Sequence, residues 1–369
     1  MALFVCCAPP TPAMTHHDTF DRRGEAPSTT RPARPSGPAR FRLRRAPAAP
    51  PFRSPDLPVS PLSGERMRPW LRVPGDWRRP DAGEAYELYW DDASGFGMLH
   101  PRPSAAEVAS FYTDGYYTHA AAPDEPLVGR FDPLGRLAWR FDAGVSLRPE
   151  RVAAGVGGGR RLLDIGCGSG RHMRRFGACG FACVGVEPDG QARRAAANAG
   201  HAAHAGTAED LPPEVLASRY DAVLMQHVLE HTRDPLAAVR NALGLLDAGG
   251  VLVVEVPNNA CRSLAFDGPL WPWLDVPRHL NFFTERSLRR LADLAGGRVV
   301  RAEYIGYLRQ FSPVWERDRL AIRDAFAALS TGEESPGRGP GRLRRLLATA
   351  GARAEAKYDS VRVFIRKAT

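Results

Sequence analysis

Lysine is almost missing from this chain of 369 residues: among 50 basic side chains only Lys357 and Lys367 are lysines. A net charge of +9 ordinarily points to a polyanionic partner. Arginine in place of lysine throughout, beside abundant Ala, Gly and Pro, matches the codon usage of a GC-rich genome and argues against nucleic acid as the partner. Paired cysteines are missing too. The six cysteines form no C-x-x-C pair: Cys6 and Cys7 lie near the N-terminus, while Cys167, Cys179, Cys183 and Cys261 fall in or beside apolar segments. Free thiols in a reducing cytosol are therefore expected. No apolar run reaches the roughly 18 residues of a membrane-spanning helix, and "MALFVCCA" lacks the basic start of a secretory signal. The expectation is a cytoplasmic protein with no membrane span.

What is present changes along the chain. Residues 1–66 are rich in Pro, Arg, Ala, Ser and Thr without apolar periodicity, a composition that cannot offset chain entropy. They read as a disordered tail, and translation starting at Met67 is an alternative. Residues 67–155 read as a small N-terminal cap, rich in aromatics, with "SAAE" (Ser104 to Glu107) as a capping box opening a short helix and a further helix over about 131–147. Residues 156–369 read as the main domain. There "RLLDIG", "FACVGVEP", "YDAVLMQ", "GGVLVVEVP", "RVVRAEYIG" and "DSVRVFIRK" are strands. Between them lie helices such as "DGQARRAAANAG", ending at Gly200, and "PLAAVRNALGLLD", opened by Asp234 as N-cap with Pro235 behind it. This alternation predicts an α/β fold with a doubly wound, mostly parallel sheet, whose ligands lie at the carboxyl ends of the strands.

The first of these strands ends in "DIGCGSG", where Gly166, Gly168 and Gly170 turn it into a helix and let a ligand approach the backbone. Dinucleotide enzymes place G-x-G-x-x-G here to receive a pyrophosphate. In this chain the third glycine comes one residue early and Asp164 stands two residues before the first. A carboxylate there repels a pyrophosphate and attracts an ammonium or sulfonium. Glu187, ending the next strand, is placed to accept the hydroxyls of a ribose.

Together "LLDIGCGSGRH", "VGVEPD", "GTAEDLP", "YDAVLMQHVLEHTRDP" and "LDAGGVLVVEVPN" resemble the successive motifs of the class I S-adenosylmethionine-dependent methyltransferases, over roughly residues 160 to 366. The resemblance implies a Rossmann-like sheet of seven strands, the last antiparallel and inserted between its neighbours, and S-adenosylmethionine (SAM) as cofactor. It implies that Asp164, Gly166 and Gly168 hold the methionine end, Glu187 the ribose, and Ala208 and Glu209 the adenine edge. Thr207 stands where many relatives have Asp.

The stretch "MQHVLEHTRDP" carries the acceptor side. Gln226 and His227 are placed to touch the cofactor through backbone or side chain. His231 is the candidate base for a hydroxyl acceptor, with His279 in "DVPRHLNFF" as a second catalytic histidine. Taking that proton typically contributes about 10²- to 10⁴-fold. Trp271, Trp273, Tyr112, Tyr116 and Tyr117 suggest an aromatic lid over a small-molecule or glycan acceptor. The ubiquinone-biosynthesis O-methyltransferases look similar here but carry Glu-x-x-Glu-His, a divalent-metal site in that group. His227 stands at their first glutamate, so the resemblance leaves metal assistance open without implying it, and no metal ligand is assigned. The expected function is O-methylation, with N- or C-methylation by the same fold as one alternative. A zinc hydrolase built on His227, Glu230 and His231 is the other; that signature needs one continuous helix, whereas a strand leads into this motif and Asp234-Pro235 starts a new helix three residues after it.

Overall fold

A computed structural model describes residues 57–79, 85–112, 132–144, 147–329 and 341–368. Tyr116 and Tyr117, and the tail up to residue 56, lie outside them. Eleven strands are present among the described residues: β1 (Arg68–Val73), β2 (Tyr86–Asp91), β3 (Phe96–His100), β4 (Arg161–Ile165), β5 (Ala182–Val186), β6 (Ala202–His204), β7 (Tyr220–Gln226), β8 (Leu246–Pro257), β9 (Asn281–Phe282), β10 (Gly297–Ile305) and β11 (Ser360–Lys367).

Seven of them form one sheet in the order β10-β11-β8-β7-β4-β5-β6. Strands β8, β7, β4, β5 and β6 run parallel, and β11 lies antiparallel between β8 and β10, as the resemblance implies. Alternate residues of these strands enter opposite cores. Val223, Met225, Leu252, Val254 and Val363 pack on one face with Ala238, Val239, Leu288 and Leu291 of two helices. Leu162, Ala222, Leu224, Val251 and Val253 pack on the other with Val152 and Phe176. Burial on both faces is why the strands read as unbroken apolar runs.

The helices start where their caps say. Asp234 accepts hydrogen bonds from the N–H groups of Leu236 and Ala237 at the head of Pro235–Gly244. Thr284 accepts from Ser287 N–H at the head of Glu285–Leu294. Gly200 follows the helix Gly190–Asn198 with φ +83°, the left-handed stop that glycine adopts without strain.

The cap is a second sheet, β1-β2-β3-β9, antiparallel throughout. Its fourth strand comes from the segment after β8. Leu88 and Leu99 of the cap strands share a core with Trp271, Leu274 and Phe282 of that segment and with Trp315 and Ile322 of the helix Pro313–Leu329.

Three expectations are corrected. The tail is not unstructured up to residue 66: Val59 bridges Arg66, Ser60 donates to Asp91 at 2.7 Å, and Leu62 is buried. A few well-placed contacts with the cap anchor a segment whose composition alone reads as disordered. The helix expected over 131–147 is two short ones, Pro133–Trp139 and Pro149–Gly155, because Asp132 and Arg148 each stand as N-cap before a proline that opens a separate helix. The cap boundary at 155 also shifts, since Leu147, Val152 and Ala153 pack under the main sheet.

Candidate active site

The carboxyl ends of β4, β5, β7 and β8 meet on one edge of the main sheet. Gly166 turns the chain out of β4 with φ +74°, and a Cβ there would stand 2.3 Å from Val228 Cγ2. Only a residue without a side chain fits that approach. Glu187, directly after β5, reaches back to this loop and accepts from Gly168 N–H at 3.0 Å and Asp189 N–H at 2.9 Å. Asp164 is buried, and its Oδ2 has no hydrogen-bond partner among the described residues. Burial, with the charge of Glu187 adding to it, pushes the Asp164 carboxyl up to about 7. A buried carboxylate oxygen without a donor is costly unless a ligand supplies one. Gln226 Nε2, at the end of β7, is likewise buried and unpaired.

The two residues expected at the adenine edge are placed differently from one another. Ala208 is buried, and the carbonyls of Ala208 and Glu209 both accept from Asn241 Nδ2, at 3.1 and 3.0 Å. The Glu209 carboxylate turns away from that edge and accepts from the N–H groups of Arg233 and Asp234, at 2.6 and 3.0 Å. It ties this loop to the acceptor-side turn. Thr207, in the position where relatives carry Asp, accepts from Asp210 N–H at 3.0 Å and closes the loop on itself.

His227 has φ +53°, and its ring is committed to carboxylates. Nδ1 lies 3.1 Å from Glu230 Oε1 and Nε2 lies 3.5 Å from Glu255 Oε1, while the ring stacks on Trp273 at 4.8 Å and 6°. Burial opposes its charge, but the hydrogen bonds to Glu230 and Glu255 prevail and raise it to about 9. Burial likewise works to raise Glu230, and the His227 bond with the charges of His227, His231 and His279 holds it below its ordinary value. The side chain expected to touch the cofactor is thus a fixed cation locking the turn.

His231 belongs to a single 3-10 turn, Leu229–His231, so the His-x-x-Glu-His stretch is no continuous helix. Its Nδ1 lies 3.1 Å from the Arg278 carbonyl and 2.9 Å from the Tyr112 hydroxyl. A carbonyl only accepts, so Nδ1 carries the proton and Nε2 keeps its lone pair. His279 repeats the arrangement: Nδ1 donates to the Trp273 carbonyl at 2.9 Å, so Nε2 keeps its lone pair. Burial and the neighbouring His231 push His279 down to about 4. The two rings meet edge to face at 4.7 Å and 77°. Glu230, His231 and His279 each bring one ligand-type atom within 4.8 Å of the others, and Glu230 Oε2 is buried without a hydrogen-bond partner among the described residues. A carboxylate oxygen and two imidazole nitrogens are also the donor set that could hold a divalent metal.

A family model described as "Methyltransferase domain" matches residues 139–302. A ubiquinone biosynthesis O-methyltransferase of Methylobacterium sp. (strain 4-46) is 31% identical over 218 residues, 54% of this chain and 84% of that protein. The chain belongs to the class I SAM-dependent methyltransferases. It is therefore an enzyme that uses SAM. This methyltransferase is also 37% identical over 139 residues to a tRNA U34 carboxymethyltransferase of Alcanivorax borkumensis, covering 34% of this chain and 41% of that one. A solved SAM-dependent methyltransferase from Archaeoglobus fulgidus is similar over 63% of this chain and 94% of its own, at 16% identity and a TM-score of 0.40. No helix among the described residues is long and apolar enough to cross a membrane.

The sequence pattern missed Asn241, Arg102 and Asn281. Each is a polar side chain that bonds backbone carbonyls contributed by another part of the chain. No local motif marks such a contact.

Proposed function

We propose that this methyltransferase methylates a hydroxyl group of a small molecule or glycan, with His231 as the base. The observation that carries the reading is the Nδ1–H of His231 held by the Arg278 carbonyl, which leaves Nε2 free to take a proton at the cofactor edge of the sheet. The Methylobacterium relative is named an O-methyltransferase, which supports oxygen as the acceptor atom.

In this reading Asp164, Gly166 and Gly168 receive the methionine end of the cofactor, Glu187 the ribose hydroxyls, and the Ala208–Glu209 backbone the adenine edge. The unpaired Asp164 Oδ2 and Gln226 Nε2 suit a ligand that brings both a cation and an acceptor. SAM supplies an electrophilic methyl group on a sulfonium, displaced in line by the acceptor oxygen. The chain's own share is chiefly positioning, which can account for up to about 7–11 kcal/mol of the barrier, and proton removal. His231 Nε2 takes the hydroxyl proton as the oxygen–methyl bond forms. The imidazolium so formed is stabilised by the Arg278 carbonyl and the Tyr112 oxygen at Nδ1 and by the nearby Glu230 charge. His279, neutral at physiological pH, offers a second acceptor nitrogen. A divalent ion held by Glu230, His231 and His279 would instead supply Lewis acidity to the acceptor oxygen, with His231 Nε2 as its ligand in place of the base. Trp273 and Tyr112 close the site against water.

Incubation with SAM labelled on its methyl group across hydroxylated small molecules, glycans, amines and RNA tests the reading. Methyl ethers on hydroxyl compounds are expected. Label found solely on nitrogen or carbon would refute it.

A further inference from the structure

The turn that carries His231 is held from outside by two side chains. Arg102, just after β3 in the cap, donates from Nη2 to the carbonyl of Arg233 at 2.7 Å and of Thr232 at 3.4 Å, and from Nη1 to the carbonyl of Leu280 at 2.7 Å. A further Nη2 bond to Asn281 Oδ1, at 2.7 Å, orients that amide. Asn281 Nδ2 then donates to the carbonyls of Leu229 and Thr232, at 3.1 and 2.7 Å. Leu280 N–H donates to the Glu230 carbonyl at 2.7 Å. The carbonyls of residues 229, 230, 232 and 233 are therefore all captured by Arg102 or by the Leu280–Asn281 strand that Arg102 grips. At the end of a one-turn helix such carbonyls lack most of the partners a longer helix supplies; Leu229 alone of the four also accepts from the N–H and hydroxyl of Thr232, at 3.3 and 2.8 Å.

We infer that Arg102 is a positioning residue for methyl transfer: its guanidinium fork, acting through Asn281, fixes the backbone that aims His231 and makes the cap part of the active site. The inference rests on the reading of His231 as the base. A fork of five N–H donors can span these diverging oxygens, whereas a lysine ammonium is a single point of charge on the same kind of stem. The same grip keeps the His231 ring against the Arg278 carbonyl, three residues before Asn281, so Arg102 also selects the tautomer with a basic Nε2.

The test uses the full chain as Arg102→Ala and Arg102→Lys and needs no acceptor. Amide exchange across residues 227–234 should quicken roughly tenfold in both variants. Nitrogen-15 spectra of labelled histidine, with His231 assigned by its loss in His231→Ala, should change from one tautomer to a mixture. SAM affinity measured by calorimetry should stay within a factor of about two, because Arg102 touches no proposed cofactor residue. A purely structural Arg102 would lower the melting temperature and leave the His231 tautomer unchanged, and that result overturns the inference. So does a wild-type spectrum from Arg102→Lys, which is the variant to rely on if the alanine form does not fold. Loss of the base role of His231 would instead show in its own activity, with these exchange and spectral changes intact.

Discussion

Asp164 and His227 are displaced in ways that make the site respond to pH. The Asp164 carboxyl sits at about 7 because it is buried beside Glu187, and a cationic ligand favours its ionised form. SAM affinity should therefore be full above pH 7 and fall about tenfold per pH unit below it. Calorimetry on both sides of that value checks this, and Asp164→Asn should weaken binding while removing the dependence. His227 moves from its ordinary 6.5 to about 9. A group whose folded value is raised contributes stability that is complete below its unfolded value and is lost as pH rises through the folded one. The window here is therefore about 6.5 to 9. Thermal unfolding of the wild type should lose stability across that window, and His227→Gln should flatten the loss. Neither shift is legible in sequence. Asp164 and Glu187 stand out as proposed ligand positions from their spacing to the glycines, but the partners of His227, Glu230 and Glu255, meet only where β7 and β8 lie side by side.

The glycine loop and the strand-to-helix turns are the elements that sequence specifies best. Gly166, Asp234-Pro235 and Thr284 each carry a local signal, a positive φ or a cap, and each appears in the structure in that role. Gly166→Ala should cost about 1–3 kcal/mol from its left-handed backbone alone, and the clash of the new Cβ with Val228 should add to that and weaken SAM binding. Denaturant unfolding and SAM calorimetry measure the two effects separately. What sequence could not reveal at this scale is β9. Two residues, Asn281–Phe282, carry no strand period of their own and become a strand because β3 offers them an edge at Gly97 and Met98. The cap sheet, and with it the clamp on the His231 turn, depends on that long-range pairing.

For the molecule as a whole, cap and main sheet are joined by buried charge as well as by apolar packing. Arg278, fully buried, donates to both oxygens of Asp76 at 2.8 and 2.6 Å and to Asp275 at 3.2 Å. Asp76→Ala should cost about 3 kcal/mol by leaving that guanidinium half-paired, and unfolding should remain a single transition because the cap core includes the segment after β8. Class and cofactor were legible from five motifs in order, whereas the union of cap and sheet was not, since Asp76 and Arg278 lie outside those motifs and about two hundred residues apart. The central claim is that His231 Nε2 removes the acceptor's proton. Single-turnover transfer of a labelled methyl group from bound SAM, compared between wild type and His231→Ala on the hydroxyl acceptor found by screening, tests it most directly. A fall of about 10²- to 10⁴-fold in transfer with SAM affinity unchanged is predicted; transfer that survives the substitution, or that falls only in step with SAM binding, would contradict it.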